Sequence, residues 1–362
     1  MKIAFDHQIF CNQKYGGISR YFTKLSKELI KKNSEVKIFA PLHQNIYAKN
    51  LSKKVLDGLY IKKFPPKSTR FISQINNLIA NKKINNWNPA VIHRTYFDEA
   101  IVKNEVPIVV TVYDMIHELF PNKFSKKDKT SEKKKLAVKK ADHVICISEN
   151  TKKDLIDILN IEESKISVTH LGSEFEKVND SLKLKDKDPF LLFVGDRDGY
   201  KNFNNFILAV SSDIELKEMK IICFGGGKFS KKERNNLKKF GISKNQIKQV
   251  SGDDNLLRLY YKNAEALIYP SLYEGFGLPP LEAMNYSCPV ICSDTSSIPE
   301  IVGDAGCFFS PILIEDIAYS IKKVLFSETL KQELINRGQD RCKLFTWEKC
   351  AQRTQNIYSK II

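Results

Sequence analysis

The sequence predicts an α/β protein built as two doubly wound parallel units. Three observations carry that reading. Short apolar segments that read as buried strands alternate with longer stretches of helical period, the rhythm of βαβ units. The rhythm also starts twice: KIAFD at residues 2–6 and FLLFV at residues 190–194 each run into a loop and then a helix. Between the halves, residues 176–188, EKVNDSLKLKDKD, are polar and aperiodic and read as a linker. At 362 residues the chain suits two domains of about 150–200 residues better than one oversized core. The expected boundaries are 1–175 for the first unit and 189–345 for the second, with residues 346–362 a closing helix.

In the first half, Tyr15–Lys32 carries Ile18, Tyr21, Phe22, Leu25, Leu29 and Ile30 at helical spacing, with Ser19 a plausible cap. Gly16 and Gly17 thus fall between a first strand and a first helix, where open α/β sheets bind phosphate; a tight turn is the plainer alternative. Val36–Phe39 completes a βαβ unit. Residues 43–70 are Lys-rich and weakly periodic, and no element is assigned there. Ile72–Trp87 reads as a helix, and Ala90–His93 and Ile108–Val112 as strands ending in HRTYF and YDMIHE. Ligands bind at the carboxyl ends of such strands, which singles out His93, Arg94, Tyr113, Asp114 and His117. Phe124–Lys140 is strongly cationic and is either a patch for anionic lipid or a solvated helix face. His143–Ile147 is a strand, Ser148 caps a helix starting near Thr151, and Ser167–Leu171 is the last strand of the unit.

In the second half, the strand Phe190–Val194 opens into GDRDGYKN, residues 195–202, just before a helix at Asn205. Arg197 and Lys201 there are either two surface cations or a diphosphate clamp, the Arg binding as a fork and the Lys as a point charge. Met219–Phe224 is a strand followed by Gly225, Gly226 and Gly227, a turn able to approach a nucleotide base. Ile247–Val250 is a strand, Leu256–Tyr261 a helix, and Ala264–Tyr269 a buried strand. The central stretch follows: YPSLYEGFGLPPLEAM, residues 269–284. Its loop, Gly275, Phe276, Gly277 and Leu278, precedes Pro279 and Pro280 and a helix over Leu281–Asn285 with Glu282 in its first turn. A helix start after a glycine loop offers free N–H groups and a positive dipole end to phosphate. A carboxylate aimed at phosphate would repel it, so Glu274 and Glu282 are read as acceptors for neighbouring hydroxyls. Together these features describe a sugar nucleotide. Pro289–Cys292 is a strand leading to Ser296, Ser297 and Glu300, the last either capping its own helix or binding ligand.

SLYEGFGLPPLEAM resembles the signature of the family 4 glycosyltransferases, retaining enzymes of the GT-B fold, and ADHVICISENTKKDL and Pro299-Glu300 are similar to family segments. The resemblance implies two Rossmann-like domains facing a cleft, with the C-terminal helix crossing back to the first domain. It implies a nucleoside-diphosphate sugar as substrate, held mainly by the second domain, with no cofactor and no metal. Backbone N–H groups near Gly277 and Leu278, with Arg197 and Lys201, would stabilise the leaving diphosphate. Glu282 would accept from ribose and Glu274 from the sugar. The loop of Gly16 and Gly17 would lie near the donor phosphate and the acceptor. Two departures stand out: Arg197 is two residues after Gly195 rather than one, and Tyr113 occupies the usual His position before Asp114. Whether His93 or His117 replaces that His is open. GGISRYF and GDRDGYKN look like the mannosyltransferase-like members of bacterial surface-polysaccharide assembly, which use glycan or lipid-linked acceptors.

Composition bounds the rest. Apolar residues at 42% and charged residues at 28% are those of a globular protein, and no apolar run approaches the roughly 20 residues of a spanning helix. The start, MKIAFDHQIFC, lacks a signal-peptide layout, so a cytoplasmic place is expected, with peripheral contact at anionic inner-membrane lipid. The net charge is +16; residues 1–180 hold 32 basic and 20 acidic residues (+12), and residues 181–362 hold 26 and 22 (+4). Such asymmetry also suits nucleic acid, but no aromatic-interleaved basic patch or binding module supports that. The eight Cys form no C-x-x-C pair and read as reduced core residues. The remaining alternative is a non-catalytic sugar-nucleotide or anionic-polymer binding protein on the same fold.

Overall fold

The computed structural model describes residues 1–97, 106–178, 183–184, 188–197 and 199–362. Within the expected linker, residues 179–182 and 185–187 lie outside the described residues, as does Asp198 of GDRDGYKN. The chain forms two compact units, Met1–Gly172 with Trp347–Ile362, and Ser173–Thr346.

Among the described residues the first unit holds seven strands: β1 (Lys2–Phe5), β2 (Glu35–His43), β3 (Leu56–Tyr60), β4 (Val91–Arg94), β5 (Ile108–Val112), β6 (His143–Cys146) and β7 (Ile166–Val168). All pair in parallel, in the order β3-β2-β1-β4-β5-β6-β7. The second unit holds six: β8 (Phe190–Val194), β9 (Lys220–Phe224), β10 (Ile247–Val250), β11 (Ala266–Tyr269), β12 (Val290–Ser293) and β13 (Gly306–Phe309). These are also parallel, in the order β10-β9-β8-β11-β12-β13. Both sheets therefore reverse their winding once, between β1 and β4 and between β8 and β11. At such a reversal the loops leaving two adjacent strands part to opposite faces and open a crevice for ligands.

Helices cover the sheets, so the central strands are buried on both faces and read as continuous apolar runs, as in β5 and β11. The edge strand β3 is different. Its residues are mostly part-exposed and it lies in the Lys-rich segment left unassigned, because an edge strand lacks the apolar signal of a central one. A five-residue helix, Gln8–Asn12, also intervenes before the first glycine loop. The helix Gly17–Lys31 starts one residue after Gly16, and Ser19 is not its cap: the Ser19 hydroxyl donates to the Gly16 carbonyl at 3.1 Å. Ser148 does cap the helix Glu149–Leu159, accepting from the Thr151 N–H at 3.0 Å.

The helix Trp347–Ile361 belongs to the first unit and buries Trp347, Cys350, Ala351, Thr354, Ile357 and Tyr358, a stripe of helical spacing. Trp347 lies 6.2 Å from Tyr21, centroid to centroid. All eight cysteines are free and buried.

Candidate active site

The site of the second unit is built at its winding reversal. The loop after β8 carries Lys201, and the loop after β11 carries Glu274. Lys201 Nζ lies 2.6 Å from Glu274 Oε1. Both are largely shielded, with 15% and 11% of their side chains exposed, so the pair is worth more than a surface bridge and its charges remain reachable. Lys201 Nζ also stands 5.3 Å from the centre of the Tyr269 ring and 5.4 Å from that of Tyr200. Burial, with the Glu274 charge beside it, holds the Tyr269 hydroxyl well above its ordinary pKa.

Glu274 is fixed on both sides of its backbone. Its N–H donates to Ser296 Oγ at 2.8 Å, while Ser297 Oγ donates to the carbonyls of Glu274 at 2.8 Å and Phe276 at 2.9 Å. The two serines were noted in the sequence only as neighbours of Glu300; their work is to clamp the glycine loop. Ser296 adopts φ +53°, an uncommon left-handed conformation for a side-chain-bearing residue.

The helix that follows runs Leu278–Asn285, three residues earlier at its start than expected. Glu282 consequently sits in the second turn, not the first, where the end of the helix dipole acts on it less. Gly277 is the N-cap at φ +118°, a backbone state that favours glycine. Pro279 and Pro280 fill the second and third helical positions and have no N–H to offer. The donors left at this helix end are those of Gly277 and Leu278, and neither meets a protein acceptor among the described residues. Glu282 Oε2 accepts from the Tyr261 hydroxyl at 3.1 Å. Glu300 is half-buried in the helix Ile298–Val302, and its carbonyl accepts from Arg341 Nη2 at 2.5 Å.

Arg197 does not stand beside Lys201 as a second free cation. Its Nε donates to Glu233 at 2.7 Å, Nη1 to the Gly225 carbonyl at 3.1 Å, and Nη2 to the carbonyls of Gly226 at 3.1 Å and Gly227 at 2.9 Å. Four of its five N–H donors are thus committed, its side chain is 1% exposed, and its face lies 4.4 Å from the centre of the Phe229 ring. The expected clamp role is corrected on this geometry: Arg197 staples the loop after β9. Gly225, Gly226 and Gly227 all have φ between +64° and +92°, which turns their carbonyls onto the guanidinium.

In the first unit the strand-end residues separate into pins and reachable groups. His93 is fully buried; its Nδ1 lies 2.5 Å from the Tyr358 hydroxyl and its Nε2 2.8 Å from Thr111 Oγ1. Burial pushes it down to about 3, so it stays neutral. The expectation of a ligand-facing His93 is corrected: both ring nitrogens are spent, Nδ1 on fastening Trp347–Ile361 to the sheet through Tyr358 and Nε2 on Thr111 of the neighbouring β5. Tyr113 is buried and donates to the Thr95 carbonyl at 3.0 Å. Asp114 is 30% exposed, and its Oδ1 accepts from the Ile116 N–H at 3.1 Å. Behind it Lys134, buried to 1%, donates to the Asp114 carbonyl and to Glu118 Oε2, each at 2.7 Å. One member of the cationic run is therefore an internal tie. His117 stacks on Phe124 at 3.9 Å, and its Nε2 is 3.9 Å from Asp128. A Cβ on Gly16 would meet Gln13 Oε1 at 2.5 Å and displace that side chain, whose oxygen accepts from the Ser19 N–H. Gly17 opens the helix behind it.

Two residues at the same strand ends were not singled out as a pair. Asp6 follows β1 and Arg94 ends β4, 3.6 Å apart from Oδ2 to Nη1 and both buried.

Among the described residues no group of three or more His, Cys, Asp or Glu could hold a metal ion, and no helix is long and apolar enough to cross a membrane. The family model described as "Glycosyltransferase Family 4" matches residues 15–177, and "Glycosyl transferases group 1" matches residues 174–341. The O-antigen chain mannosyltransferase B of Escherichia coli is 42% identical over 105 residues, 29% of this chain and 28% of that protein. The O-antigen chain mannosyltransferase RfbU of Salmonella typhimurium is 27% identical over 226 residues, 62% of each. The chain thus spans less than two thirds of the length of these curated relatives. The sucrose-phosphate synthase structure from Thermosynechococcus elongatus superposes with a TM-score of 0.79 at 18% identity, covering 99% of this chain and 98% of that one. With two parallel α/β units and two family models that together span residues 15–341, the chain belongs to the family 4 type of GT-B glycosyltransferases.

Proposed function

We propose that this protein transfers a hexose, mannose in the first instance, from a nucleoside-diphosphate sugar to a glycan or lipid-linked acceptor, with retention at the anomeric carbon. The carrying observation is the Lys201–Glu274 pair beside the uncommitted N–H groups of Gly277 and Leu278. This is one cation and two dipoles for a diphosphate, next to one carboxylate for hydroxyls. The names of the O-antigen mannosyltransferase relatives support the sugar and the setting in surface polysaccharide synthesis.

In the proposed reaction the bond between the anomeric carbon and the diphosphate oxygen breaks, and its electron pair leaves with the diphosphate. The acceptor oxygen bonds to the same face of that carbon, and its proton passes to a departing phosphate oxygen. Lys201, Gly277 and Leu278 stabilise the charge growing on the diphosphate, the work a bound cation does elsewhere. Glu274 accepts from sugar hydroxyls while the ring gains positive charge, and Glu282 accepts from ribose. No metal or cofactor is part of the proposal. Contact with anionic lipid through the exposed lysines of Phe124–Lys140, on the cytoplasmic side of the membrane, is part of it.

The test is transfer of radiolabelled sugar with the product's anomeric configuration read by NMR. Retained configuration, with activity surviving excess chelator, is expected. An inverted product, or activity lost to chelator and restored by Mg²⁺ or Mn²⁺, overturns the mechanism. Nucleotide-sugar binding with neither transfer nor hydrolysis would support the non-catalytic alternative.

A further inference from the structure

We propose that the winding reversal of the first unit is an anion site built on Arg94, and that its ligand is a phosphoryl group. Arg94 ends β4 beside the end of β1 and is 4% exposed. Its one charged neighbour among the described residues, Asp6, is 3.6 Å away, beyond hydrogen-bond reach. Its Nε is buried with no acceptor at all. Asp6 does not need the guanidinium. Its Oδ1 accepts from the Thr95 N–H at 2.9 Å, from Thr95 Oγ1 at 2.5 Å and from the Gln8 N–H at 3.4 Å, and its Oδ2 accepts from Gln8 Nε2 at 2.7 Å. Neutral donors therefore hold the carboxyl group of Asp6.

That leaves a fork of five donors with no hydrogen bond among the described residues. Asp6 supplies a counter-charge but no hydrogen bond, and buried N–H donors left without acceptors are costly, so the guanidinium is held ready for one. The contrast with Arg197, four of whose donors are closed by carbonyls and Glu233, shows what this chain does when a buried Arg is structural. The guanidinium fork matches two oxygens of one phosphoryl group. The place is also right, because adjacent parallel strands with diverging loops open a crevice at their carboxyl ends. The phosphoryl group comes either from the donor diphosphate or from a phosphorylated acceptor.

The test uses the full chain and inorganic pyrophosphate at constant ionic strength. Thermal midpoints are compared for the wild type, Lys201→Ala, Arg94→Gln and the double variant. Lys201→Ala should keep part of the pyrophosphate-induced rise, and adding Arg94→Gln should remove it. A rise already abolished by Lys201→Ala alone, or one that survives in the double variant, overturns the proposal. If Arg94→Gln does not fold, Arg94→Lys carries the test. It keeps the charge and loses the fork, and should weaken pyrophosphate binding in the Lys201→Ala background by about tenfold or more; undiminished binding overturns the proposal. Two further arms separate the sources. Weaker binding of bare nucleoside diphosphate to Arg94→Gln assigns the site to the donor, and a raised KM for a lipid-diphosphate-linked acceptor at unchanged donor KM assigns it to the acceptor. The pyrophosphate arm does not depend on sugar transfer, so it stays readable if the proposed reaction fails.

Discussion

The two winding reversals hold the same ingredients, one cation and one carboxylate at adjacent strand ends, in opposite states. In the second unit Lys201 and Glu274 close on each other at 2.6 Å. In the first unit Asp6 is saturated by Thr95 and Gln8, and Arg94 stands off at 3.6 Å. A closed pair presents a ligand with a bond to break, and an open one presents a bond to make. The lesson is that one topology fixes where charges gather while local donors decide whether they are spent. The same rule separates Arg197 from Lys201 within a single loop.

The largest effects should come from opening the closed pair. Lys201→Ala should lower transfer about 10–100-fold, the range of a lost charge-assisted contact, with the fold intact. Glu274→Gln should lower turnover while bare nucleoside diphosphate binds at least as tightly, because the ammonium no longer has a carboxylate to leave. If calorimetry shows Glu274→Gln weakening the bare diphosphate as much as Glu282→Gln does, both carboxylates serve the nucleotide and the division of roles is wrong.

Arg197 sharpens the comparison next. As a staple, its replacement by Lys should weaken nucleoside monophosphate and diphosphate alike and cost about 1–3 kcal/mol of stability, since one ammonium cannot meet four directed acceptors. A loss confined to the diphosphate would restore the clamp. His93 gives an effect of similar size that appears only with pH. Its folded-state value is lowered from 6.5 to about 3 by burial, so below pH 6.5 the unfolded chain binds the extra proton. His43, lowered to about 4 by burial, acts in the same direction. Stability of the first unit is therefore full above pH 6.5 and falls as pH drops, with His93 contributing roughly 1.4 kcal/mol per unit of pH. His93→Gln should flatten that slope in thermal melts between pH 7 and 5; an unchanged slope would mean the imidazole is not held neutral. The smallest effect belongs to the exposed lysines. Lys126→Ala with Lys127→Ala should change stability by no more than about 0.5 kcal/mol, against several for Lys134→Ala, whose loss leaves Glu118 buried and unpaired.

Central strands packed between helices were legible from the chain alone: β5 and β8 fall where their apolar runs place them. The loop of Glu274 was legible because glycine, proline and acid cluster within a few residues. What escaped depended on distance along the chain. His93 meets Tyr358, 265 residues away, and Arg197 meets Glu233, 36 away, and no local pattern announces either partner. The edge strand β3 escaped because solvent takes one side of it, and the early start of the helix at Leu278 because two prolines mask a first turn that needs none of their N–H groups.

The fastening of Trp347–Ile361 to the first unit has a consequence for how the chain is made. The second unit, Ser173–Thr346, is continuous, and every residue it needs emerges from the ribosome before Trp347. The first unit begins earlier and finishes later, because the hydroxyl that meets His93 arrives only with Tyr358. Until then a polar imidazole and the apolar groove around Tyr21 stand uncovered, which makes the older half of the nascent chain the one in need of chaperone shelter.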